Sequence, residues 1–200
     1  MKKLKKILIG THNQGKFREI SNLLSKKIKK ISPISLKILS PKETGKSFLA
    51  NSQLKANYFY KKSKIISISD DSGLSIDCLN GKPGIYSARW AKKYGNFHKA
   101  MKKILYLVNK KNSKKKNKNF KAKFICCLSL KIPNKKIFSV TGIIKGKISS
   151  KIIGNKGFGY DPIFIPNKYI ITYGQMNRKK KMLIDHRFLA FKKLKKRFNI

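Results

Sequence analysis

Short apolar runs, separated by basic and polar stretches, recur along the whole chain and predict strands alternating with helices. Runs of strand length predict β-strands at Lys5–Gly10, Ile34–Leu39, Lys64–Ser69, Ser75–Cys78, Phe120–Leu130, Ile137–Ile148 and Pro162–Ile165. The two longest runs, on either side of Pro133, are expected to form a pair of antiparallel strands.

Apolar residues at helical spacing predict helices between these strands. The helices are expected to begin after Gly15, at Phe48, at Phe97 and at Arg187. Ser47 should cap the second helix, and Leu54 and Tyr58 should face inward from it. Interleaved strands and helices indicate an α/β fold with a mixed sheet.

The size and composition indicate one soluble domain over residues 1–200. A chain of 200 residues with 40% apolar content can bury a single core. No apolar run approaches bilayer length, and the basic segment Met1–Lys6 lacks the apolar region and cleavage site of an export signal. We therefore expect a cytoplasmic protein with no membrane partner.

The charge is strongly positive, with 50 lysines and arginines against 7 acidic residues and a net charge of +43. Such a surface can bind nucleic acid by releasing counterions from phosphates. Lys, Ile and Asn are also the residues of A- and T-rich codons, and the lysines are spread from Lys2 to Lys196. This spread favours compositional bias, so nucleic acid is not required as a partner. Whichever explanation holds, the positive charge should attract anionic substrates.

Four of the seven acidic residues lie in two glycine-bearing segments. Asp70, Asp71 and Asp77 belong to SDDSGLSIDCLNGKPGIYSARW, and Asp161 belongs to GFGYDPIF. Negative charge that is scarce and clustered suggests a place where a divalent cation meets a polyphosphate. On a strand, Asp70 and Asp71 would face opposite ways, so that one could bind Mg²⁺ and orient water while the other anchors the turn. The alternative is an ordinary Asx-turn.

The segment GTHNQGKF, Gly10 to Phe17, matches most of a phosphate-binding loop between a strand and a helix. Phe17 replaces the Ser or Thr that would hold magnesium, which disfavours a Walker-type ATPase. A helix N-terminus, the side chains of Thr11 and Asn13, and the charge of Lys16 still suit phosphate. The alternative is a plain turn with a solvated lysine.

Two later segments offer weaker signals. In Gly157–Pro162, two glycines around an aromatic ring could let the backbone approach a ligand while the ring stacks on it. His186 and Arg187 form a donor pair suited to carbonyl oxygens or phosphates. The alternatives are a tight turn packed by aromatic residues and a helix cap by Asp185.

Taken in order, these segments resemble the Ham1/RdgB family of noncanonical purine nucleoside triphosphate pyrophosphatases. The resemblance rests on THNQGKFREI, ETGKSFLANSQLKA, SDDSGLSIDCLNGKPGIYSARWA, GFGYDPIF and KMLIDHRFLAFKKL, which occur in the family's order and are distributed over most of the chain, from Thr11 to Leu194. It implies a single α/β domain with an elongated central mixed sheet, two lobes and a substrate cleft between them, and a homodimer. It also implies Mg²⁺-dependent hydrolysis of ITP, dITP and XTP to the nucleoside monophosphate and pyrophosphate, which cleanses the nucleotide pool.

The resemblance also assigns roles to residues by position. Asp71 would bind magnesium and act as general base, with Lys55 beside it in catalysis. The substrate-binding residues would be Thr11, His12, Asn13, Gln14, Gly15, Lys16, Ser72, Phe158, Gly159, Tyr160, Asp161, Lys181, His186 and Arg187. Of these, Phe158 would stack on the purine, while Lys181 and the His186–Arg187 pair would read its keto oxygen.

Four positions depart from the family pattern: His12 for glycine, Lys42 for an acid, Gln175 for glutamate and Asp185 for serine. His12 could tighten the phosphate loop if the position needs a positive φ. Lys42 leaves Glu43 as the possible second magnesium ligand. None of the four removes Asp71, Lys16 or Lys55, so an active enzyme is expected.

Overall fold

The computed structural model describes residues 4–198. Residues 1–3 of the basic segment Met1–Lys6, and residues 199–200 of the predicted domain, lie outside the described part. The strands are β1 Lys6–Ile9, β2 Lys29–Ile31, β3 Ser67–Ile76, β4 Lys121–Lys131, β5 Phe138–Ile148 and β6 Phe164–Pro166. The helices are α1 Gln14–Leu23, α2 Phe48–Ser63, α3 Ser87–Lys93, α4 Phe97–Asn112, α5 Arg178–Met182 and α6 His186–Lys195. Short 3₁₀ helices lie at Ile34–Leu36, Asp77–Leu79, Gly84–Tyr86 and Asp161–Ile163.

The strands form a six-stranded sheet in the order β2-β1-β3-β4-β5-β6. β1 pairs in parallel with β2 and β3, with Ile7 opposite Lys30 and Leu8 opposite Ser67. β5 pairs antiparallel with β6, so that Ile148 faces Phe164. The sheet is therefore mixed, and the predicted α/β class is confirmed.

The chain divides into two compact units. The first comprises the described residues of Met1–Asp71, Cys126–Gly142 and His186–Ile200, and the second comprises Ser72–Ile125 and Ile143–Asp185. Each unit has its own apolar core. The core of the first includes Ile7, Ile9, Ile20, Ile68, Leu128 and Phe191, and that of the second includes Leu74, Ile76, Ile104, Phe124, Ile163 and Phe164.

The predicted strand at Ile34–Leu39 is wrong. Pro33 adopts αR geometry and begins a 3₁₀ turn, which Lys37 ends in the left-handed region at φ 53°. Leu39 is 79% exposed, so this apolar run does not enter a core. Apolar side chains alone do not make a strand where proline starts a turn.

The predicted turn after Asp71 is also wrong, because β3 continues without interruption from Ser67 to Ile76. Asp-Ser-Gly normally favours turns. Here Gly73 lets the strand pass close to the carbonyl oxygen of Gly84 and the hydroxyl of Ser87, where a Cβ would collide with both. Both aspartates therefore lie within one buried strand.

The inward face of α2 differs from the predicted one. Leu54 and Tyr58 are only partly buried. The buried residues of this helix are Asn51, Ser52, Lys55, Ala56 and Phe59, and most of them are polar. Ser47 caps the helix as predicted, since its hydroxyl accepts a hydrogen bond from the N–H of Ala50 at 3.1 Å.

Across residues 4–198, no helix combines the length and the apolar character needed to cross a bilayer.

Candidate active site

The segment from Gly10 to Lys16 forms a capped entry to α1. A Cβ at Gly10 would collide with the Ser69 hydroxyl and the Phe59 ring, so only glycine allows this close passage. Asn13 is the N-cap, and its side-chain oxygen Oδ1 accepts a hydrogen bond from the N–H of Lys16 at 3.0 Å. The Thr11 hydroxyl accepts from the N–H of Asn13 at 3.2 Å.

This loop can bind an anion. Gln14 and Gly15 open the first turn of α1, where a helix leaves N–H groups without intrahelical partners and carries the positive end of its dipole. The Thr11 oxygen accepts a bond and keeps its O–H as a donor. The loop therefore offers backbone donors, a hydroxyl donor and the nearby ammonium of Lys16.

An ion network joins α1, β3 and α6 in the first unit. The guanidinium of Arg187 donates to Glu19, and also to Oδ2 of Asp70 at 2.9 Å. The ammonium of Lys16 lies 3.3 Å from the same Asp70 oxygen. Arg187 and Asp70 are almost completely buried, so these charges interact in a low-dielectric environment. Through Asp70, the network holds the Lys16 side chain beside the first turn of α1.

A second charged group lies around Asp71. Asn51 donates to Oδ2 of Asp71 at 3.1 Å, and the Lys55 ammonium lies 3.7 Å from Oδ1. The same ammonium donates to Glu43 at 2.6 Å. Adjacent residues of a strand project to opposite faces, and Asp70 and Asp71 accordingly have different partners.

These environments shift the pKa values of the two carboxyl groups in opposite directions. Although burial opposes ionisation, Lys16, Arg187 and Lys55 hold the pKa of Asp70 well below its usual range. Burial raises the pKa of Asp71, and the charges of Lys55 and Lys16 offset this effect only in part. Burial disfavours the charged form of Lys55, but Asp71, Asp70 and Glu43 outweigh it and raise the pKa of the ammonium. Asp71 is therefore the more basic of the adjacent pair.

The residues around Lys55 also fit a magnesium ion. Within residues 4–198, no cluster of three or more His, Cys, Asp or Glu side chains suits a metal. Glu43 and Asp71 nevertheless converge on a single cationic group. One or two carboxylates, completed by waters and phosphate oxygens, are the usual protein ligands of Mg²⁺. The donor set therefore fits this ion when a polyphosphate is present.

The second unit contains a separate polar cluster around Asp161. Its Oδ2 accepts hydrogen bonds from the N–H of Phe158 at 2.8 Å and from the ammonium of Lys181 at 2.6 Å. The same ammonium lies 5.0 Å from the centre of the Phe158 ring. Gly157 has φ +77°, and a Cβ there would collide with the Asp161 carboxylate. The loop thus presents an aromatic ring beside a buried cation.

The other predicted site residues lie in diverse surroundings. Tyr160 is buried, and its hydroxyl donates to the carbonyl oxygen of Ser87 at 2.8 Å. Burial raises the pKa of this phenol. Ser72 is partly buried on β3, Gly159 has φ +68°, and His186 is buried at the start of α6. The substrate-binding roles of all these residues remain predictions.

The four departures from the family pattern lie in different surroundings, and Lys42 is exposed. His12 is not among the residues with positive φ in the described part of the chain, so its position does not demand glycine. The side-chain oxygen of Gln175 accepts from the N–H of Thr172 at 3.0 Å. Asp185 is buried.

Sequence reasoning assigned no role to Glu19 or Asn51. Glu19 lies three positions after Lys16 on α1, and Asn51 lies four positions before Lys55 on α2. Both spacings place side chains on one helix face. A search for polar residues at helical spacing from the predicted lysines would have found both.

Comparisons with known proteins identify the family of this chain. The model of the Ham1 family matches residues 7–197. The dITP/XTP pyrophosphatase of Zymomonas mobilis is 36% identical over 190 residues, covering 94% of this chain and 90% of that protein. The dITP/XTP pyrophosphatase of Oceanobacillus iheyensis is 39% identical over 196 residues, covering 96% and 98%.

A solved structure agrees as well. The HAM1 protein of Coxiella burnetii superposes with a TM-score of 0.85 at 28% identity, covering 96% of this chain and 98% of that one. Sequence and fold thus match over nearly the whole length. The chain belongs to the Ham1 family.

Proposed function

We propose that this chain is a nucleoside triphosphate pyrophosphatase that hydrolyses noncanonical purine nucleotides. The observation that carries the proposal lies within the first unit. Lys16, in the first turn of α1, lies 3.3 Å from Asp70, and Lys55 lies 3.7 Å from the adjacent Asp71. An anion site beside a basic carboxylate suits the attack of water on a polyphosphate. The relatives described above are named for dITP and XTP, which gives the substrate class.

The phosphate-binding part of the proposal rests on the loop before α1. Backbone N–H groups of Gln14 and Gly15, with the side chains of Thr11, Asn13 and Lys16, would hold the triphosphate. Asp70 would keep the Lys16 ammonium oriented through their contact at 3.3 Å. Lys55 would add a second positive charge.

Asp71 is proposed as the general base. Burial raises its pKa, which makes the ionised carboxylate a better proton acceptor than an ordinary surface aspartate. It would take a proton from a water whose oxygen bonds to the α-phosphorus, while the bond from that phosphorus to the bridging oxygen breaks. The products would be the nucleoside monophosphate and pyrophosphate. Lys55 would orient the carboxylate and stabilise its charge.

Magnesium is part of the proposal, and Asp71 and Glu43 are the residues that would hold it. When bound, Mg²⁺ neutralises phosphate charge and polarises phosphoryl oxygens. Both carboxylates already contact one cationic group, the ammonium of Lys55.

Recognition of the base is proposed for the cluster around Asp161. The Phe158 ring would stack on the purine, and the Lys181 ammonium beside it would donate to a 6-keto oxygen. Adenine presents an amino donor at that position, and an unpaired buried donor costs about 1–3 kcal/mol. Ser72, Gly159 and Tyr160 would add contacts from the same unit. The substrate-binding roles of His186 and Arg187, which belong to the first unit, follow only from the family resemblance.

The remaining parts of the proposal follow from the family resemblance. The substrates would include ITP beside dITP and XTP, and their removal would cleanse the nucleotide pool. The protein would act in the cytoplasm as a homodimer.

The test is pyrophosphate release from ITP, dITP, XTP, ATP and GTP with Mg²⁺. We expect release from the first three at rates at least about tenfold above that from ATP, which corresponds to about 1.4 kcal/mol of discrimination. GTP also has a 6-keto oxygen, so its rate shows whether Lys181 alone accounts for base selection. Equal rates with all five would refute the proposed base selection. No release from any nucleotide would refute the enzyme assignment and favour the alternative of a basic nucleic-acid-binding protein.

A further inference from the structure

Both ring nitrogens of His12 are bonded to a segment far away in sequence. Nε2 lies 3.0 Å from the carbonyl oxygen of Ile38, and Nδ1 lies 2.5 Å from the Ser40 hydroxyl. A carbonyl oxygen can only accept, so Nε2 carries the hydrogen in this contact. In the neutral ring, the Ser40 hydroxyl then donates to Nδ1. The ring also lies against Phe59 of α2, with 6.1 Å between ring centres.

The segment that His12 contacts leads directly to Glu43. Residues 37–46 form no helix or strand, and Leu39 and Ser40 are exposed, so burial contributes little to their position. Glu43, three residues after Ser40, bonds the Lys55 ammonium. The imidazole therefore connects the loop before α1 to the segment that carries this carboxylate.

We propose that His12 is a positioning residue that fastens residues 38–43 to the loop before α1 and so holds Glu43 against Lys55. This inference rests on the proposed function, because it assigns His12 an effect on nucleotide binding. Both bonds need a side chain that carries a donor and an acceptor, and glycine, which the family pattern places here, could form neither. The role is therefore a property of this chain. His12 acts on the substrate through its neighbours instead of contacting phosphate with its ring nitrogens, which are already bonded.

The expected consequence is a change in binding more than in chemistry. A segment ordered before the nucleotide arrives does not have to be ordered during binding, which favours affinity. Losing the contact should raise KM by about threefold to tenfold, the change expected for one hydrogen bond. The kcat should change by less, because Asp71 and Asn51 keep their own contact.

The test compares His12→Ala, Ser40→Ala, the double variant and His12→Gln. Ser35→Ala is the matched control, because Ser35 is an exposed serine on the same stretch whose side chain bonds only locally, to the carbonyl oxygen of Ser32 at 2.8 Å. KM and kcat for ITP are measured for each variant. Amide hydrogen exchange of residues 38–43 is measured in the protein without nucleotide.

We expect His12→Ala to raise KM and to speed exchange in residues 38–43, and the double variant to resemble His12→Ala alone. His12→Gln, which keeps a donor and an acceptor, should recover most of the difference. Unchanged exchange and KM in His12→Ala, or additive effects of the two single variants, would overturn the inference. If His12→Ala fails to fold, Ser40→Ala decides on the same two readouts. Wild-type protein that hydrolyses no ITP would instead defeat the proposed function, while the exchange result would still report on the contact.

Discussion

At Asp71, burial and ionic partners act in opposite directions on one carboxyl group. Burial raises its pKa, and the Lys55 ammonium, 3.7 Å away, lowers it. Its neighbour Asp70 is more deeply buried but ion-paired more closely, and its pKa falls. The adjacent aspartates thus acquire different chemistry from their surroundings and not from their residue type.

The first prediction concerns Lys55. Replacing it in Lys55→Met removes the nearest positive charge from Asp71 while burial remains, so the pKa of Asp71 should rise further. The carboxyl should then take up its proton at a higher pH than in the wild type. Carboxyl ¹³C shifts, followed through a pH titration of metal-free protein, measure this change. Lys62→Met, an exposed lysine on the same helix, should leave the titration unaltered.

The second prediction concerns Asp70 and acid stability. Its pKa in the folded protein lies below the value of about 3.9 expected for an unfolded chain. The stabilisation is therefore fully present above about pH 4 and is lost as the pH falls towards the folded-state pKa. Urea unfolding at pH 5 and pH 3 should show a smaller loss of unfolding free energy in Asp70→Asn than in the wild type. Equal losses would mean that the Arg187 and Lys16 contacts contribute no stability through Asp70.

At the scale of elements, Gly157 makes a specific contribution to the loop before the 3₁₀ helix Asp161–Ile163. Gly157 has φ +77°, and a Cβ there would meet the Asp161 carboxylate, which holds Lys181. Gly157→Ala should destabilise the protein by about 1–2 kcal/mol from backbone strain. It should also displace Asp161 and reduce the ratio of kcat/KM for ITP to that for ATP.

Gly95→Ala provides the control for this third prediction. Gly95 also has positive φ, at +95°, but only the flexible end of Lys99 lies near its added Cβ, at 3.7 Å. Its loss of thermal stability should be similar, and its preference for ITP unchanged. A Gly157→Ala protein with wild-type selectivity would disconnect this loop from base recognition.

Apolar residues at helical spacing predicted the buried side of α1 well, but the same approach did not predict the polar residues buried on α2. The apolar stripe at helical spacing after Gly15 comprises Phe17, Ile20, Leu23, Leu24 and Ile28. Ile20, Leu24 and Ile28 are buried in the core of the first unit, and the other two are partly buried against it. In α2, the buried side carries Asn51, Ser52 and Lys55, which hydrophobic periodicity assigns to solvent. These side chains are buried because Asp71, Ser129 and Glu43 provide their hydrogen-bond partners. Partners from distant elements cannot be identified from periodicity.

The same limit applies to the candidate site. The sequence motifs pointed to Lys16, Asp71 and Asp161, and the family resemblance assigned a role to each of them. The network of Glu19, Asp70 and Arg187 depends on the packing of α1, β3 and α6, which are distant in sequence. The length of β3 was missed because Asp-Ser-Gly favours a turn locally, and only the close approach of Gly73 to neighbouring backbone explains the strand.

At the scale of the whole molecule, most of the acidic residues are buried. Of 7 acidic residues, five are buried, namely Glu19, Asp70, Asp71, Asp161 and Asp185. Glu43 is partly buried and Asp77 is exposed. The many exposed lysines therefore have few surface carboxylates to pair with. The exterior produces a positive field that extends over a distance set by salt.

The fourth prediction follows from this field. The kcat/KM for ITP should fall steeply between about 10 mM and 150 mM salt, as the screening length decreases from about 30 Å to about 8 Å. The kcat at saturating ITP should change less, since steering affects encounter and not the bound complex. Potassium chloride and potassium acetate should act alike, which separates screening from competition by one anion. A kcat/KM independent of salt would rule out steering.

The central claim is that Asp71 is the catalytic base of a nucleotide pyrophosphatase, and one measurement tests it most directly. Pyrophosphate release from ITP with Mg²⁺ should fall by at least about a hundredfold in Asp71→Asn, within the range typical of a lost general base. Asp77→Asn removes an exposed carboxylate of the same signature segment and should retain wild-type turnover. Both variants should keep the wild-type melting temperature within a few degrees. Undiminished turnover in a folded Asp71→Asn protein would contradict the mechanism.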